Sequence, residues 1–279
     1  MHVFNHIQDL RAYLAAHAGK SVGFVPTMGA LHEGHLTLIR TARTANDLCV
    51  CSIFVNPIQF NNADDLARYP RVLEDDVRLL ETVGCDAVFA PSVEEMYPTP
   101  PALTMQFGPL ERVLEGAFRP GHFSGVGVVV SKLLHIVSPD RVYFGQKDLQ
   151  QCLVVRRLIE DLSFPVEQVI VPTVREADGL AMSSRNRNLT PEERAAAPFL
   201  YAELTRAAES LKAGTPVADV KASLEAAFAA RPEFRLEYFD IADTAGLVSL
   251  ESYQSGQEAA LALAAHLGKV RLIDNILLH

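Results

Sequence analysis

The sequence predicts an α/β chain with a doubly wound, Rossmann-like parallel sheet, followed by a smaller α+β domain. Over the first two thirds, short apolar runs alternate with segments of helical periodicity. Strands that are apolar throughout are typical of parallel sheets, because helices cover both faces. After Thr190 the order changes to helices followed by strand-like runs. We therefore expect domains at 1–176 and 177–279, with the boundary between Glu176 and Asn188.

The first domain is expected to alternate strand and helix along the chain. The run 21–25 (SVGFV) is a short buried strand, and 35–46 is a helix with Leu36, Ile39 and Ala42 at helical spacing. Further strands are predicted at 48–55, 87–90, 141–144 and 166–171, and further helices at 74–83, 124–137 and 147–162. Folds of this kind bind ligands beyond the carboxyl ends of their strands.

The second domain is expected to begin with a capped helix. Thr190 is the predicted N-cap, Pro191 stands at N1, and Glu193 completes a capping box. This Ala-rich helix should run to about Lys212, and a second helix is predicted at 216–229. Strands are predicted at 234–241 and 269–278.

The composition limits the possible partners. The chain has 279 residues and a net charge of −9, which argues against broad binding to nucleic acid or to an anionic membrane. The N-terminus lacks the order of a signal peptide, and no apolar run approaches the roughly 18 residues of a membrane helix. The absence of a CxxC pair favours reduced thiols in a cytoplasmic protein over a disulfide or metal role. The cysteines are Cys49, Cys51, Cys85 and Cys152.

The segment 26–38 (PTMGALHEGHLTL) places two histidines where a strand passes into a helix. The amides and dipole of a helix N-terminus favour anions, and Gly29 and Gly34 allow close approach. His32 and His35 lie three apart, on one side of the first turn, and could donate to phosphate oxygens. Two alternatives remain at this point. A zinc site is disfavoured because HExxH sites space their histidines four apart, and a solvated helix cap needs no ligand at all.

Polar residues also follow two other predicted strands. Asn56 and Gln59 come after the strand 48–55, where Pro57 forces the chain outward, and their amides could bond hydroxyls or a carboxylate. Lys147 and Asp148 follow the strand 141–144 at a helix start. Lys147 could neutralise phosphate charge, and Asp148 could cap the helix, or hold a ribose or a water on magnesium. Simple loop and helix caps are the alternatives.

An acidic pair stands near the start of the predicted helix 74–83. Asp75 and Asp76 are candidate magnesium ligands, since bound phosphate groups are often accompanied by a hard cation with few protein ligands. The alternative is that both carboxylates only complement the helix dipole.

Five segments together resemble one enzyme family. PTMGALHEGH at 26–35 is similar to the HxGH signature of nucleotidylyltransferases, and more specifically to that of the pantothenate synthetase family (pantoate–β-alanine ligases). The other matching segments are FVNPIQF at 54–60, RPGHFSGV at 119–126, FGQKDLQQ at 144–151 and AMSSRN at 181–186. HxGH alone is weakly specific, whereas all five in this order are highly specific and cover the whole chain.

The resemblance implies roles for individual residues. His32, His35, Lys147 and Arg185 are the implied catalytic residues. The implied ATP site comprises Met28, Gly29, His32, His35, Gly145, Gln146, Lys147, Asp148, Val174, Met182, Ser183, Ser184 and Arg185. The implied pantoate and β-alanine site comprises Asn56, Gln59, His122 and Gln151. The segment Met182–Arg185 resembles the KMSKS loop of the related synthetases but lacks its lysines, so Arg185 must supply the charge there.

The resemblance also implies a reaction and an assembly. Members of the family join pantoate to β-alanine with ATP and Mg²⁺ through a pantoyl adenylate, and a homodimer forms through the first domain. Two other functions remain open. A nucleotidylyltransferase with a phosphorylated acceptor would need a cationic pocket where Asn56, Gln59 and Gln151 offer neutral amides. A non-catalytic nucleotide-binding module would not need Lys147 and both histidines.

Overall fold

The chain folds around two sheets, as the sequence predicts. We describe a computed structural model, which covers residues 1–61 and 63–279. A parallel sheet of six strands, here called the large sheet, has the order β1-β4-β3-β2-β5-β6. An antiparallel sheet of three strands, the small sheet, has the order β7-β8-β9. The predicted fold class, a doubly wound sheet followed by a small α+β domain, is confirmed.

The large sheet and its helices come from the first part of the chain. Its strands are β1 (His2–Phe4), β2 (Val22–Thr27), β3 (Leu48–Ile53), β4 (Ala87–Phe89), β5 (Arg141–Gly145) and β6 (Glu167–Val171). The helices are α1 (Ile7–Ala16), α2 (Glu33–Ala45), α3 (Ala63–Arg68), α4 (Leu73–Thr82), α5 (Val93–Met96), α6 (Leu114–Phe118), α7 (His122–Val137) and α8 (Leu149–Asp161). The sequence did not predict β1 and α1, which precede the first predicted strand.

Helices cover both faces of the large sheet, which explains its uniformly apolar strands. On one face, Phe24 and Val142 pack with residues of α7 and α8 such as Val129 and Val155. On the other, Val25 packs with side chains of α2 and α4. Since α7 is buried along almost its whole length, its β-branched residues are compatible with a helix there.

The C-terminal domain consists of α9 (Pro191–Ala196), α10 (Phe199–Lys212) and α11 (Val217–Ala229) beside the small sheet. Its strands are β7 (Phe234–Ala242), β8 (Ala259–Leu267) and β9 (Val270–Leu278). The capping box of Thr190 and Glu193 is confirmed. The single helix predicted as far as Lys212 is wrong, because the chain has two helices, with Pro198 between them. The central strand β8 was not predicted.

The strand order places two helix starts next to each other. β2 pairs with β3 on one side and with β5 on the other, so the winding reverses between β2 and β5. Two connections leave the carboxyl ends of these strands, one toward α2 and one toward α8. This is the position where doubly wound sheets bind ligands.

The C-terminal domain lies against this end of the molecule through an apolar seam. Leu114, Phe123 and Leu149 of the first part pack with Ala260 and Ala262 of β8. The four cysteines are buried free thiols. Among the residues that the structure describes, no helix is both long and apolar enough to cross a membrane.

Candidate active site

A cavity opens at the carboxyl ends of β2 and β5. An inner part of about 220 Å³ continues into an outer part of about 780 Å³ bordered by β7 and β9 of the small sheet. The predicted site residues that line the inner cavity are Met28, His32, His35, Asn56, Gln59, His122, Gly145, Lys147, Asp148, Gln151, Val174, Met182, Ser183, Ser184 and Arg185. The structure thus brings together nearly all of the residues proposed from the sequence. Within the described chain, Gly29, Gln146, Asp75 and Asp76 do not line either part.

The two histidines of the HxGH segment form the N-terminus of α2. His32 is the N-cap, and its Nδ1 accepts a hydrogen bond from Gly34 N at 3.2 Å. Nδ1 of His35 accepts from the His32 backbone N–H at 3.4 Å. Because a backbone N–H can only donate, both neutral rings carry their proton on Nε2. A Cβ at Gly34 would lie 2.9 Å from His32 Nδ1, so this cap requires glycine.

Both imidazoles are neutral in the free protein. Burial lowers the pKa of His32 to about 3, with further contributions from His35 and Lys147. Burial likewise lowers the pKa of His35 to about 4, and the charges of Lys147 and Arg187 act in the same direction. The two Nε2–H groups are therefore neutral donors beside a fixed positive charge, an arrangement that favours an anionic ligand.

A buried carboxylate holds the loop that leads into these histidines. Asp76 Oδ2 accepts from Ala30 N at 2.9 Å, and Oδ1 accepts from Leu31 N at 2.7 Å. On the opposite side of the same segment, Arg187 Nη2 donates to the Leu31 carbonyl at 2.9 Å. The loop that enters the HxGH helix is thus held by two contacts. One comes from Asp76 in the first part of the chain, and the other comes from Arg187, which follows Ser183 and Ser184. The sequence did not suggest Arg187.

This arrangement does not fit the magnesium site predicted for the acidic pair. Each oxygen of Asp76 already accepts a backbone hydrogen bond. Asp75 is exposed and pairs with Arg78 on the same helix. Among the described residues, no group of three or more acidic, histidine or cysteine side chains could hold a metal ion. Magnesium at Asp75 and Asp76 stays a prediction that this geometry does not support.

The neutral amides on the other wall have different partners. Asn56 is almost fully buried, and its side chain accepts from Tyr97 OH at 2.9 Å while donating to Gln59 Oε1 at 3.0 Å. Nδ2 of Asn56 also donates to the carbonyl of Gly125 at 3.2 Å. Among the residues that the structure describes, Gln59 Nε2 contacts the sulfur of Met28 at 3.2 Å. Asn56 therefore orients Gln59, whose Nε2 can turn its hydrogens to a ligand.

His122 supports the same wall from the start of α7. Its Nδ1 donates to the Gln59 carbonyl at 2.9 Å, and Arg119 donates to its Nε2 at 3.2 Å. Burial, with the Arg119 charge second, lowers the pKa of His122 to about 4. His122 is thus neutral and has the opposite tautomer to His32 and His35. Gly125 lets α7 approach this wall, since a Cβ there would lie 2.4 Å from the Ile58 carbonyl.

The turn between β5 and α8 places Lys147 in the cavity. Gln146–Asp148 is a 3₁₀ turn, and Lys147 Nζ lies 3.6 Å from Asp148 Oδ1. Its backbone contacts Asn275 of β9, whose Nδ2 donates to the carbonyls of Gln146 and Lys147 at 3.0 and 2.9 Å. The Gln146 side chain, predicted to be in the ATP site, donates instead to Asn275 Oδ1 at 3.2 Å. The sequence analysis did not suggest Asn275. The signal that could have found it is the pair of adjacent polar residues within the otherwise mostly apolar run RLIDNILL.

The segment Met182–Arg185, here called the serine segment, closes the remaining side of the cavity. Ser183 Oγ accepts from Arg185 N at 3.2 Å, and Met182 N donates to the Val174 carbonyl at 3.0 Å. Ser184 is buried, and Arg185 borders both parts of the cavity. Hydroxyls and a guanidinium therefore face the same space as Lys147. The cavity has a cationic, hydrogen-bond-donating wall and a neutral amide wall.

Comparison with known proteins agrees with this arrangement. Residues 2–277 match the family model described as pantoate-beta-alanine ligase. The chain is 52% identical to the pantothenate synthetase of Moorella thermoacetica, over 100% of this chain and 99% of that protein. The crystal structure of pantothenate synthetase from Thermus thermophilus superposes with a TM-score of 0.93 at 49% identity, covering 99% of each chain.

A more distant solved structure extends the comparison. The pantoate-beta-alanine ligase from Francisella tularensis, described as a complex with beta-gamma ATP and beta-alanine, has a TM-score of 0.83 and 34% identity. The match covers 99% of this chain and 97% of that one. From its sequence, its fold and these full-length matches, the chain belongs to the pantoate–β-alanine ligase family.

Proposed function

We propose that this chain joins pantoate to β-alanine with ATP, giving pantothenate, AMP and pyrophosphate through a pantoyl adenylate. One observation carries the proposal. Side chains of the kind that bind phosphate, such as Lys147, line the same inner cavity as the neutral amides of Gln59 and Gln151. Such a cavity suits a reaction in which a carboxylate attacks a phosphorus atom. The likeness to a ligase described as a complex with beta-gamma ATP and beta-alanine supports the same substrates.

The cationic wall is assigned to the triphosphate of ATP. His32 and His35 donate from Nε2, and Lys147 supplies a positive charge beside them. Ser183, Ser184 and Arg185 complete this wall, and Met28, Gly145, Asp148, Val174 and Met182 are assigned to the rest of the nucleotide. Donors that are already oriented in a buried site stabilise charge developing in the transition state without reorganising.

The neutral wall is assigned to pantoate. Gln59 and Gln151 offer amides that can bond its hydroxyls and carboxylate, and His122 and Asn56 hold Gln59 in place. The groups that Gln59 and Gln151 offer here are neutral amides, which disfavours a nucleotidylyltransferase that acts on a phosphate ester. The cations that border the same inner cavity and could neutralise the carboxylate of pantoate are Lys147, Arg119 and Arg185.

The two steps follow from this placement. A carboxylate oxygen of pantoate attacks the α-phosphorus of ATP, an O–P bond forms, and the bond to pyrophosphate breaks. The amine of β-alanine then attacks the acyl carbon, the C–O bond to AMP breaks, and the nitrogen loses a proton. The side chains position reactants and stabilise charge without forming a covalent intermediate with the protein. Magnesium is proposed to enter with ATP as part of the substrate, held mainly by the phosphates.

Three broader assignments complete the proposal. The division into domains at 176/177 agrees with the two separate sheets, and the C-terminal domain is proposed to act as a lid over the cavity. A homodimer through the first domain is proposed from the family resemblance. The four buried free thiols support a reducing compartment, and we propose the cytoplasm.

An isotope experiment tests the reaction directly. Pantoate labelled with ¹⁸O in its carboxylate is incubated with ATP, Mg²⁺, β-alanine and the protein, and AMP and pantothenate are analysed by mass spectrometry. We expect one ¹⁸O atom per AMP, because the carboxylate oxygen that attacks phosphorus leaves with AMP. AMP without label would contradict the adenylate, and the absence of pantothenate would contradict the ligase function itself.

A further inference from the structure

The C-terminal domain contacts the phosphate wall through Asn275. This residue lies on β9, which in the described part of the chain is an edge strand of the small sheet and pairs with β8. The residue is 3% exposed, and both polar atoms of its side chain contact the turn that carries Lys147. The small sheet therefore reaches the active-site turn through a buried side chain.

One amide nitrogen fixes two successive peptide units of this turn. Asn275 Nδ2 donates to the Gln146 carbonyl at 3.0 Å and to the Lys147 carbonyl at 2.9 Å. The Gln146 side chain returns a hydrogen bond to Asn275 Oδ1 at 3.2 Å. The two carbonyls lie on either side of the Lys147 Cα, so their orientation determines the direction in which the Lys147 side chain leaves the backbone.

Asn275 is itself held by a buried ion pair. Its backbone N–H donates to Asp274 Oδ1 at 2.8 Å. Arg175 bonds both oxygens of Asp274, at 2.6 and 2.9 Å, and donates to the Asn275 carbonyl at 3.3 Å. The Arg175 guanidinium lies 3.7 Å from the centre of the Tyr201 ring. Planar, bidentate pairing of this kind fixes geometry as well as charge.

The same ion pair reaches the serine segment. The backbone of Arg175 forms a β-bridge with Ala181, directly before Met182. Arg175 therefore connects β9 with the segment that leads to Ser183 and Arg185. The Lys147 turn and the serine segment share one support in the C-terminal domain.

We propose that Asn275 is a positioning residue for adenylation, which holds Lys147 against the phosphates while Asp274 and Arg175 hold Asn275. The proposal rests on the function proposed above, because Lys147 is assigned there. Asn275 does not line the pantoate wall, so it should affect the chemical step more than the use of pantoate. The effect of Asn275 on the adenylation rate should differ from an effect on the stability of the domain, because Asn275 acts by hydrogen bonds to two carbonyl groups beside Lys147.

The test compares three variants in the full-length protein. Asn275→Asp keeps the size of the side chain but replaces the donor with an acceptor that faces two carbonyls. Asn275→Ala removes the side chain. Leu278→Val weakens the packing of the same strand at a buried position of the domain core, away from the turn. Each is assayed by single-turnover formation of pantoyl adenylate, KM for pantoate and thermal unfolding.

We expect Asn275→Asp and Asn275→Ala to slow adenylate formation about tenfold or more, with the KM for pantoate unchanged. Leu278→Val should lower the unfolding temperature and leave the adenylation rate unchanged. Wild-type adenylation rates in both Asn275 variants would overturn the inference, as would an equal loss in Leu278→Val. An inactive wild-type protein would instead contradict the proposed function.

Discussion

The backbone N–H of His32 donates to Nδ1 of His35 at 3.4 Å, and the two imidazole rings lie 4.1 Å apart. Since Nδ1 of each ring is an acceptor, Nε2 of each carries the proton. Burial keeps both rings neutral, with pKa values of about 3 and about 4. The helix start therefore presents two neutral donors to a bound phosphate without the cost of binding two extra protons first.

Loss of Lys147 or His35 should slow the adenylation step. Both groups are proposed to act on charge that develops as pyrophosphate leaves, so Lys147→Ala and His35→Ala should each reduce adenylate formation by roughly 10²-fold or more. ATP binding should change less, and amide formation from presynthesised pantoyl adenylate should be comparatively spared. Single-turnover kinetics of each half-reaction measures this.

A distant histidine provides the control for this experiment. His17, which packs on Tyr13, is expected to tolerate alanine without a change in either half-reaction. Wild-type adenylation in Lys147→Ala would show that Lys147 is only a cation at a helix start.

The amide of Gln59 should matter for pantoate far more than for ATP. Gln59→Ala removes the amide donor that is assigned to pantoate and one of the two acceptors of Asn56 Nδ2, a loss of about 1–3 kcal/mol for a buried hydrogen bond. Calorimetric titration of the variant with each substrate should show weaker pantoate binding and nearly unchanged ATP binding. Equal damage to both affinities would mean that Gln59 lies elsewhere relative to the substrates.

The carboxylate of Asp76 should act on the loop and not on a metal. Asp76→Asn retains one acceptor but turns a donor toward the amide of Ala30 or Leu31, so kcat should fall by about tenfold or more. Added Mg²⁺ should not restore it. The matched variant Asp75→Asn, at an exposed position, should be close to wild type in activity and stability. Recovery of Asp76→Asn at high Mg²⁺ would favour the magnesium role predicted from the sequence.

Acid should destabilise the protein through its buried neutral histidines. Burial lowers the folded-state pKa of His122 to about 4, below the ordinary value of 6.5. Between these values the unfolded chain binds a proton that the folded chain does not, so stability falls as pH falls through this window. His122→Asn should be less stable at neutral pH but lose less free energy of unfolding between pH 7 and pH 5.

Urea unfolding at these two pH values measures the difference. An identical dependence in His122→Asn and wild type would mean that His122 titrates normally in the folded protein.

Local sequence patterns predicted the features that depend on residues close together in the chain. The HxGH helix start, the exit after Asn56 and the Thr190 capping box each involve residues only a few positions apart. β8 (AALALAAHL) was missed because alanine and leucine favour helices, whereas burial between two strands decides its conformation. His35, Asn56 and Lys147 were predicted to meet because each follows a strand that ends at the same edge of the sheet.

Contacts between distant segments could not be predicted from one sequence. An acidic pair at a helix start does not show that Asp76 binds the amides of Ala30 and Leu31. Nor does the polar pair in β9 show that Asn275 reaches the Lys147 carbonyl, 128 residues away along the chain. The Asp76 contacts depend on the packing of α4 within the first part of the chain, and the Asn275 contacts depend on the packing of the C-terminal domain against that part.

Exchange of labelled pyrophosphate into ATP tests the central claim, that this cavity activates the carboxylate of pantoate. We expect exchange that requires pantoate and Mg²⁺ but not β-alanine, because reversible adenylation precedes the attack of the amine. Exchange that ran equally well without pantoate, or that began only when β-alanine was added, would contradict it.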